Sequence, residues 1–125
     1  MLPAAADIMK EVFILNGRID AAARNVDDLI DIWGEELFDH SHMDNRLYQE
    51  KMRIRNENIM KLKVKIDEIQ NLGCIVKNID EGIIDFPGRR NYRPVHLCWK
   101  YGESDIRYPL PAVIQLLTEL VRSRM

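Results

Sequence analysis

A chain of 125 residues, of which 46% are hydrophobic, has the size and the apolar content of one small globular domain spanning residues 1–125. Its 18 basic and 20 acidic residues give a formal net charge of −2, which argues against a surface built for nucleic acid or for an anionic membrane. The chain has no apolar run of about 18 residues, so no membrane-spanning helix is expected.

Two features favour a cytoplasmic protein. The segment that begins with Met1 and Leu2 has neither a basic start nor a long apolar stretch, so a secretory signal is not expected. The two cysteines, Cys74 and Cys98, do not form a disulfide framework, which is typical of a reducing compartment.

A long amphipathic helix is predicted from Pro3 to about Leu37, because its apolar residues recur at intervals of three and four. Gly17 is its weakest position, since glycine disfavours a helix interior. A second apolar stripe beside the first makes the hydrophobic face wider than a two-stranded seam requires. The main stripe is Ala5, Ile8, Val12, Leu15, Ile19, Ala22, Val26, Leu29 and Trp33, and the second is Met9, Phe13, Ala23, Ile30 and Leu37.

A second helix is predicted after a turn at 34–43, with Asp44 as its N-cap and Gly73 just beyond its end near Leu72. Its stripe contains one charged residue, Arg55. A charge at this position either fixes the register at a cost in stability or reaches the solvent at the edge of the seam. The stripe is Tyr48, Met52, Arg55, Ile59, Leu62, Ile66 and Ile69.

The charges of the two helices favour an antiparallel hairpin. The first helix has three bases and eight acids, whereas the second has seven bases and five acids. The first helix is roughly 50 Å long, which exceeds the diameter of a compact chain of this size. Two helices cannot cover both apolar stripes alone, so a homodimer or a higher homo-oligomer built as a helical bundle is expected.

After the hairpin the hydrophobic period changes to two, which indicates strands. Together the elements predict an α+β fold, in which a long antiparallel helical hairpin (1–73) precedes a small antiparallel β-meander (74–108) and a C-terminal helix (109–125). In that last helix Val113, Leu116, Leu117, Leu120 and Val121 are expected to face inward. The predicted strands are Cys74–Ile79, Ile83–Phe86, Val95–Lys100 and Asp105–Tyr108, with a turn at 80–82.

Arg89, Arg90 and Arg93 form the densest basic cluster of the chain and follow the turn at Pro87 and Gly88. Arginine forks suit phosphate and carboxylate groups, so this loop is a candidate site for a small anionic ligand. The alternative is a solvated turn. No glycine-rich phosphate loop accompanies the cluster.

Asp85, His96, Cys98 and Glu103 mark a candidate surface on the meander. His96 and Cys98 share one strand face, but their Cβ atoms are expected roughly 7 Å apart, which is too far for direct activation of the thiol. Asp85 could act as an acid or base, or could pair with an arginine of the loop. His40 and His42 belong to a polar turn, and no metal site is assigned. Neither catalytic residues nor cofactors can be identified.

Three stretches of the chain resemble one known family. They are residues 72–77, 82–87 (Gly-Ile-Ile-Asp-Phe-Pro) and 95–103 (Val-His-Leu-Cys-Trp-Lys-Tyr-Gly-Glu). They are similar to domain-of-unknown-function family 2203, over residues 1 to about 108. The resemblance implies a leading helical hairpin followed by strands, and it implies no chemistry. The family's aromatic-aromatic-His element is missing here, because Pro109 follows Tyr108 and no histidine follows His96.

Two functions are therefore open. The first is an oligomerising interaction or scaffold protein built on a helical-hairpin bundle. The second is an anion- or metal-dependent ligand-binding protein or enzyme, with a site around Asp85, Arg89, Arg93, His96, Cys98 and Glu103. A deep polar pocket between the meander and the hairpin would favour the second.

Overall fold

The computed structural model describes residues 3–71, 83–84, 93–100 and 107–123. Helix α1 is followed by a short 3-10 helix and helix α2, then by strands β1, β2 and β3 and helix α3. The bounds are α1 Pro3–Trp33, 3-10 helix Gly34–Phe38, α2 Asn45–Asn71, β1 Ile83–Ile84, β2 Cys98–Lys100, β3 Arg107–Pro109 and α3 Leu110–Ser123. The predicted α+β fold is confirmed.

The helical hairpin has its turn where the sequence placed it, but α1 ends at Trp33 instead of continuing to Leu37. Gly34 takes a positive φ of 61°, which ends the α-helical path and starts the 3-10 helix. Leu37 is nevertheless buried, and its carbonyl accepts a 2.9 Å hydrogen bond from Asn45 Nδ2. The turn is therefore tied to the first residue of α2.

Contacts at both ends of the hairpin show that α1 and α2 are antiparallel. Lys65 Nζ lies 2.8 Å from Glu11 Oε2, and Trp33 Nε1 donates a 2.7 Å hydrogen bond to Asp44 Oδ2. Most of the predicted stripe residues are buried between the two helices, but Phe13 of the second α1 stripe is 49% exposed, which corrects its predicted position. Arg55 is completely buried there, and its Nε donates a 2.9 Å hydrogen bond to the carbonyl of Pro94. Of the two alternatives for Arg55, the one in which it reaches the solvent is wrong, because the Pro94 carbonyl gives it a hydrogen-bond partner inside.

The three strands form an antiparallel meander in the order β1-β2-β3. Trp99 pairs in register with Ile83 on one side and with Tyr108 on the other. Leu97 and Trp99, which alternate with His96 and Cys98, are buried. The strand begins at Cys98, later than the predicted Val95, because Pro94 and Val95 form a turn. The predicted strand at 74–79 and its turn lie outside the described residues.

One hydrophobic cluster joins α1, α2, β2 and α3. Val113, Leu117 and Val121 of α3 are buried as predicted, but Leu116 is 39% exposed and Ile114 is buried in its place. The buried stripe of the helix therefore keeps Val113, Leu117 and Val121 and is displaced slightly away from Leu116, toward Ile114. The side chain of Leu120 is outside the described part. Within the described helices, none combines the length and the hydrophobicity that crossing a bilayer requires.

Candidate functional site

The structure describes three of the seven predicted site residues. Arg93 and His96 lie in the segment before β2, and Cys98 is the first residue of that strand. The other four, Asp85, Arg89, Arg90 and Glu103, are outside the described residues.

Arg93 contacts two acids of the first helix. Its Nη1 lies 2.8 Å from Asp31 Oδ1 and 3.9 Å from Asp27 Oδ1. The sequence suggested Asp85 as the nearest acid for this loop, and Asp27 and Asp31 were not considered. Their spacing of four residues puts both on one face of α1, which was the available signal. The ion pairs of Arg93 therefore join the segment before β2 to α1.

Asp27 is the most perturbed of these acids. Its pKa is raised, first because burial disfavours the charged carboxylate, while Arg93 and then His96 oppose that effect. Its Oδ1 is buried and accepts no hydrogen bond. The cluster of Asp27, Arg93 and His96 combines a carboxylate, a guanidinium and an imidazole, which are groups that can exchange protons or hold a polar ligand.

Cys98 is a half-buried free thiol, and His96 is exposed. In register, Cys98 pairs with Ile84 and Pro109. These neighbours give the thiol an apolar setting, which suits a packed cysteine better than an activated nucleophile. Among the described side chains, no group of three His, Cys, Asp or Glu residues could hold a metal ion.

A second feature is a groove on one side of the hairpin. It has a volume of about 330 Å³ and lies between α1 and α2. Leu15 is buried at the floor of the groove, and Ile14 is 54% exposed. Lys65 of α2 forms an ion pair with Glu11 of α1. Its lining residues are Glu11, Ile14, Leu15, Arg18, Lys61 and Lys65.

The groove belongs to a longer open surface. Ile32 of α1 and Leu47 of α2 are 68% and 45% exposed. Helical spacing places Ile32 on the same side of α1 as Arg18, and Leu47 on the same side of α2 as Lys61. We call this side of the hairpin, from Glu11 and Lys65 to Ile32 and Leu47, the groove face.

A family model of uncharacterised conserved proteins, DUF2203, matches residues 1–109. The chain belongs to DUF2203. The predicted resemblance is confirmed. No curated protein and no solved structure matches the chain.

The DUF2203 match contains the hairpin and the three strands, and α3 follows it. In this DUF2203 chain the segment 94–97, which precedes β2, and the start of α3 cover the side of α1 opposite the groove face. Asn16, Ile19 and Ala23 of α1 there meet Val95 and Leu97, around a cavity of about 30 Å³. This cavity has room for about one water molecule, whereas the groove face is open.

Proposed function

We propose that this DUF2203 chain is a self-associating interaction protein, in which the groove face of the helical hairpin packs against a second copy. One observation supports this above all: in the described part of the chain an open groove of about 330 Å³ lies along the hairpin, whereas the cavity beside segment 94–97 has a volume of about 30 Å³. Exposed aliphatic side chains on two neighbouring helices are groups that a second hairpin covers in a four-helix bundle.

The exposed side chains agree with this proposal. Ile14, Ile32 and Leu47 lie along the groove face and remain 45–68% exposed in the single chain. A large aliphatic side chain gains roughly 1.5–3 kcal/mol when it is fully buried, so a second copy that covered all three would gain several kcal/mol. Charged groups at the rim, Arg18 and Lys61, would remain at the solvent edge of such a bundle.

Light scattering and sedimentation equilibrium on the purified chain test the proposal. We expect a dimer or a larger species at micromolar concentration, and a monomer for Ile14→Glu, because a charge would then be buried at the interface. Val64→Glu is the matched control: Val64 is a β-branched helix residue of similar exposure, 55% against 54%, on the outer side of α2. A monomeric parent chain would refute self-association.

The Asp27, Arg93 and His96 cluster favours a second candidate function, an anion-dependent ligand-binding protein or enzyme. Because Arg93 already faces two carboxylates, Arg89 and Arg90 would supply most of the attraction for an anion. Sulfate or phosphate should then raise the melting temperature, and the double variant Arg89→Ala and Arg90→Ala should abolish the rise. Lys61→Ala with Lys63→Ala is the control, and equal losses from both variants would indicate diffuse charge.

We also propose a cytoplasmic location. Cys98 is a free thiol in a half-buried position, which is compatible with a reducing compartment. Labelling of thiols in freshly lysed cells should find Cys98 reduced, whereas oxidised Cys98 would contradict this location.

A further inference from the structure

The turn of the hairpin is attached to both helices by side-chain contacts. Asn45 of α2 donates a 2.9 Å hydrogen bond to the carbonyl of Leu37, whose side chain is buried. At the end of α1, the Trp33 indole packs edge to face against His42. A loop that is already ordered in this way loses little conformational freedom when a partner binds to it.

Two large apolar side chains of this ordered turn nevertheless face the solvent. Met43 is 75% exposed, which is the highest value among the large hydrophobic residues described, and Phe38 is 46% exposed. The ring of Phe38 packs edge to face on Tyr48 of α2, with ring centroids 5.3 Å apart, and this contact orients it. An aromatic ring beside a flexible thioether is suited to contact with an apolar side chain of another protein.

The charged side chains around these two residues are acidic. Glu35, Glu36 and Asp39 are exposed, and segment 34–43 contains no lysine or arginine. Within the described residues, none of these three acids forms an ion pair. We call Glu35, Glu36, Phe38, Asp39 and Met43 the turn surface.

The charges on the neighbouring helices do not cancel those of the turn surface. From Asp27 to Lys51 the chain has eight acids and two bases. Arg93, which pairs with acids of α1, adds a third base, so eight acids against three bases leave a net charge of −5. This end of the hairpin is therefore negative, although the whole chain has a formal net charge of only −2.

From these exposures and charges we infer that the turn surface docks a basic segment of a partner protein, with an apolar side chain of that segment packed against Phe38 and Met43. Lysine and arginine are attracted to the three acids, whereas nucleic acid and anionic lipid are repelled. A second copy brings the same acids, so two turn surfaces repel each other. The turn surface shares no residue with the groove face, and the inference does not rest on self-association.

A synthetic peptide in which leucine alternates with lysine and arginine is the probe. Titrated into the isotopically labelled full chain, it should shift the backbone amide signals of residues 34–43, and its affinity should fall as salt is added. One comparison peptide has glutamate in place of each lysine and arginine, and another has serine in place of each leucine. Each should bind at least about tenfold more weakly, because each lacks one of the two attractions.

The apolar contact is tested by Met43→Ser. This variant should weaken binding of the leucine-containing peptide by about tenfold, because the exposed thioether no longer covers a leucine. Met60→Ser is the matched control, since Met60 is the other highly exposed methionine of the hairpin, at 62%, and lies in α2 away from the turn.

The acidic contact is tested by the double variant Glu35→Lys and Glu36→Lys, which should also weaken the peptide by at least about tenfold. Asp67→Lys with Glu119→Lys is the matched control, because it reverses two exposed acids outside the turn and changes the net charge by the same amount.

The outcomes distinguish a docking surface from diffuse negative charge. Amide shifts confined to the turn, with losses in the turn variants alone, support the inference. It is overturned by shifts elsewhere in the chain, by equal losses from the control variants, or by a peptide that does not bind. Circular dichroism verifies that each variant is folded.

Discussion

Trp33, the last residue of α1, and Asp44, which immediately precedes α2, are joined by a 2.7 Å hydrogen bond from the indole Nε1 to the carboxylate Oδ2. The indole also meets His42 edge to face, with ring centroids 4.6 Å apart. The sequence assigned Asp44 to the N-cap of α2, and the residue does occupy that place. Its carboxylate, however, is used to close the hairpin.

We expect Trp33→Phe to destabilise the chain by about 1–2 kcal/mol, because it removes a partly buried hydrogen bond to a charged acceptor. Asp44→Ala should have a similar cost. Urea unfolding of both single variants and of the double variant measures the coupling. If the double variant loses as much unfolding free energy as the two single variants together, the two side chains do not stabilise each other.

Arg55 is the buried charge of the hairpin, and its replacement should be costly. Arg55→Ala leaves the Pro94 carbonyl without the Nε donor and opens a cavity, so we expect a loss of about 3 kcal/mol or more in the free energy of unfolding. Arg55→Lys should not restore the parent stability, because an ammonium lacks the fork of the guanidinium.

Arg53 provides the control for Arg55 two residues away. It pairs with Glu50 and Glu57 at the surface, where its side chain is 53% exposed. Arg53→Ala should cost less than about 1 kcal/mol, since exposed ion pairs contribute little. Equal losses from Arg53→Ala and Arg55→Ala would show that burial does not determine the contribution of Arg55.

Helical periodicity was sufficient to predict the hairpin, its stripes and its turn, because each depends on residues close in sequence. The period identifies the inward face of a helix and does not identify what covers it. Arg55 illustrates this limit: its burial depends on the carbonyl of Pro94, far along the chain. The turn was predicted from residue 34, but the apolar period also extended the helix to about Leu37, and the φ of Gly34 decides in favour of the turn.

The candidate site was predicted less well, for the same reason. His96 and Cys98 could be assigned to one strand face by alternation, but the acids beside Arg93 come from α1. In the sequence, Asp27 and Asp31 look like any other acids of an amphipathic helix, and only the fold places Asp27 in a partly buried position. An ion pair between distant segments leaves no local signal, and a single sequence contains no covariation to reveal it.

The raised pKa of Asp27 predicts a pH dependence of stability. Because the folded chain disfavours the charged carboxylate more than the unfolded chain does, ionisation of Asp27 lowers stability as the pH rises from the ordinary range of an aspartate through its raised pKa. Asp27→Asn removes this loss. The difference in unfolding free energy between Asp27→Asn and the parent should therefore increase with pH in that window, as measured by urea unfolding.

Asp39 supplies the control of opposite sign. Hydrogen bonds from the backbone and the hydroxyl of Ser41 lower the pKa of Asp39. The ionised carboxylate therefore stabilises the folded chain at a pH above the ordinary pKa of an aspartate, and this stabilisation disappears as the pH falls through the lowered pKa. Asp39→Asn should therefore lose stability relative to the parent toward neutral pH. Parallel curves for the two variants would contradict the assignment of Asp27 as a buried acid.

Two glycines give the last prediction, because the same substitution should have opposite effects at them. Gly17 lies in the interior of α1, and a Cβ added there would meet nothing within 4 Å. Gly17→Ala should raise stability by about 1 kcal/mol, since alanine loses less backbone freedom in a helix. Gly34 has equally open space around it but a φ of 61°. Gly34→Ala should therefore cost about 1 kcal/mol, because a side chain disfavours the left-handed region.

Comparing Gly17→Ala with Gly34→Ala measures the effect of backbone conformation alone, because neither added methyl group meets a neighbour. Thermal melting of the parent and the two variants, at one protein concentration, should place Gly17→Ala above the parent and Gly34→Ala below it. Shifts of the same sign would mean that the turn at Gly34 can relax to a negative φ. The 3-10 helix from Gly34 to Phe38 would then not depend on a glycine to end α1.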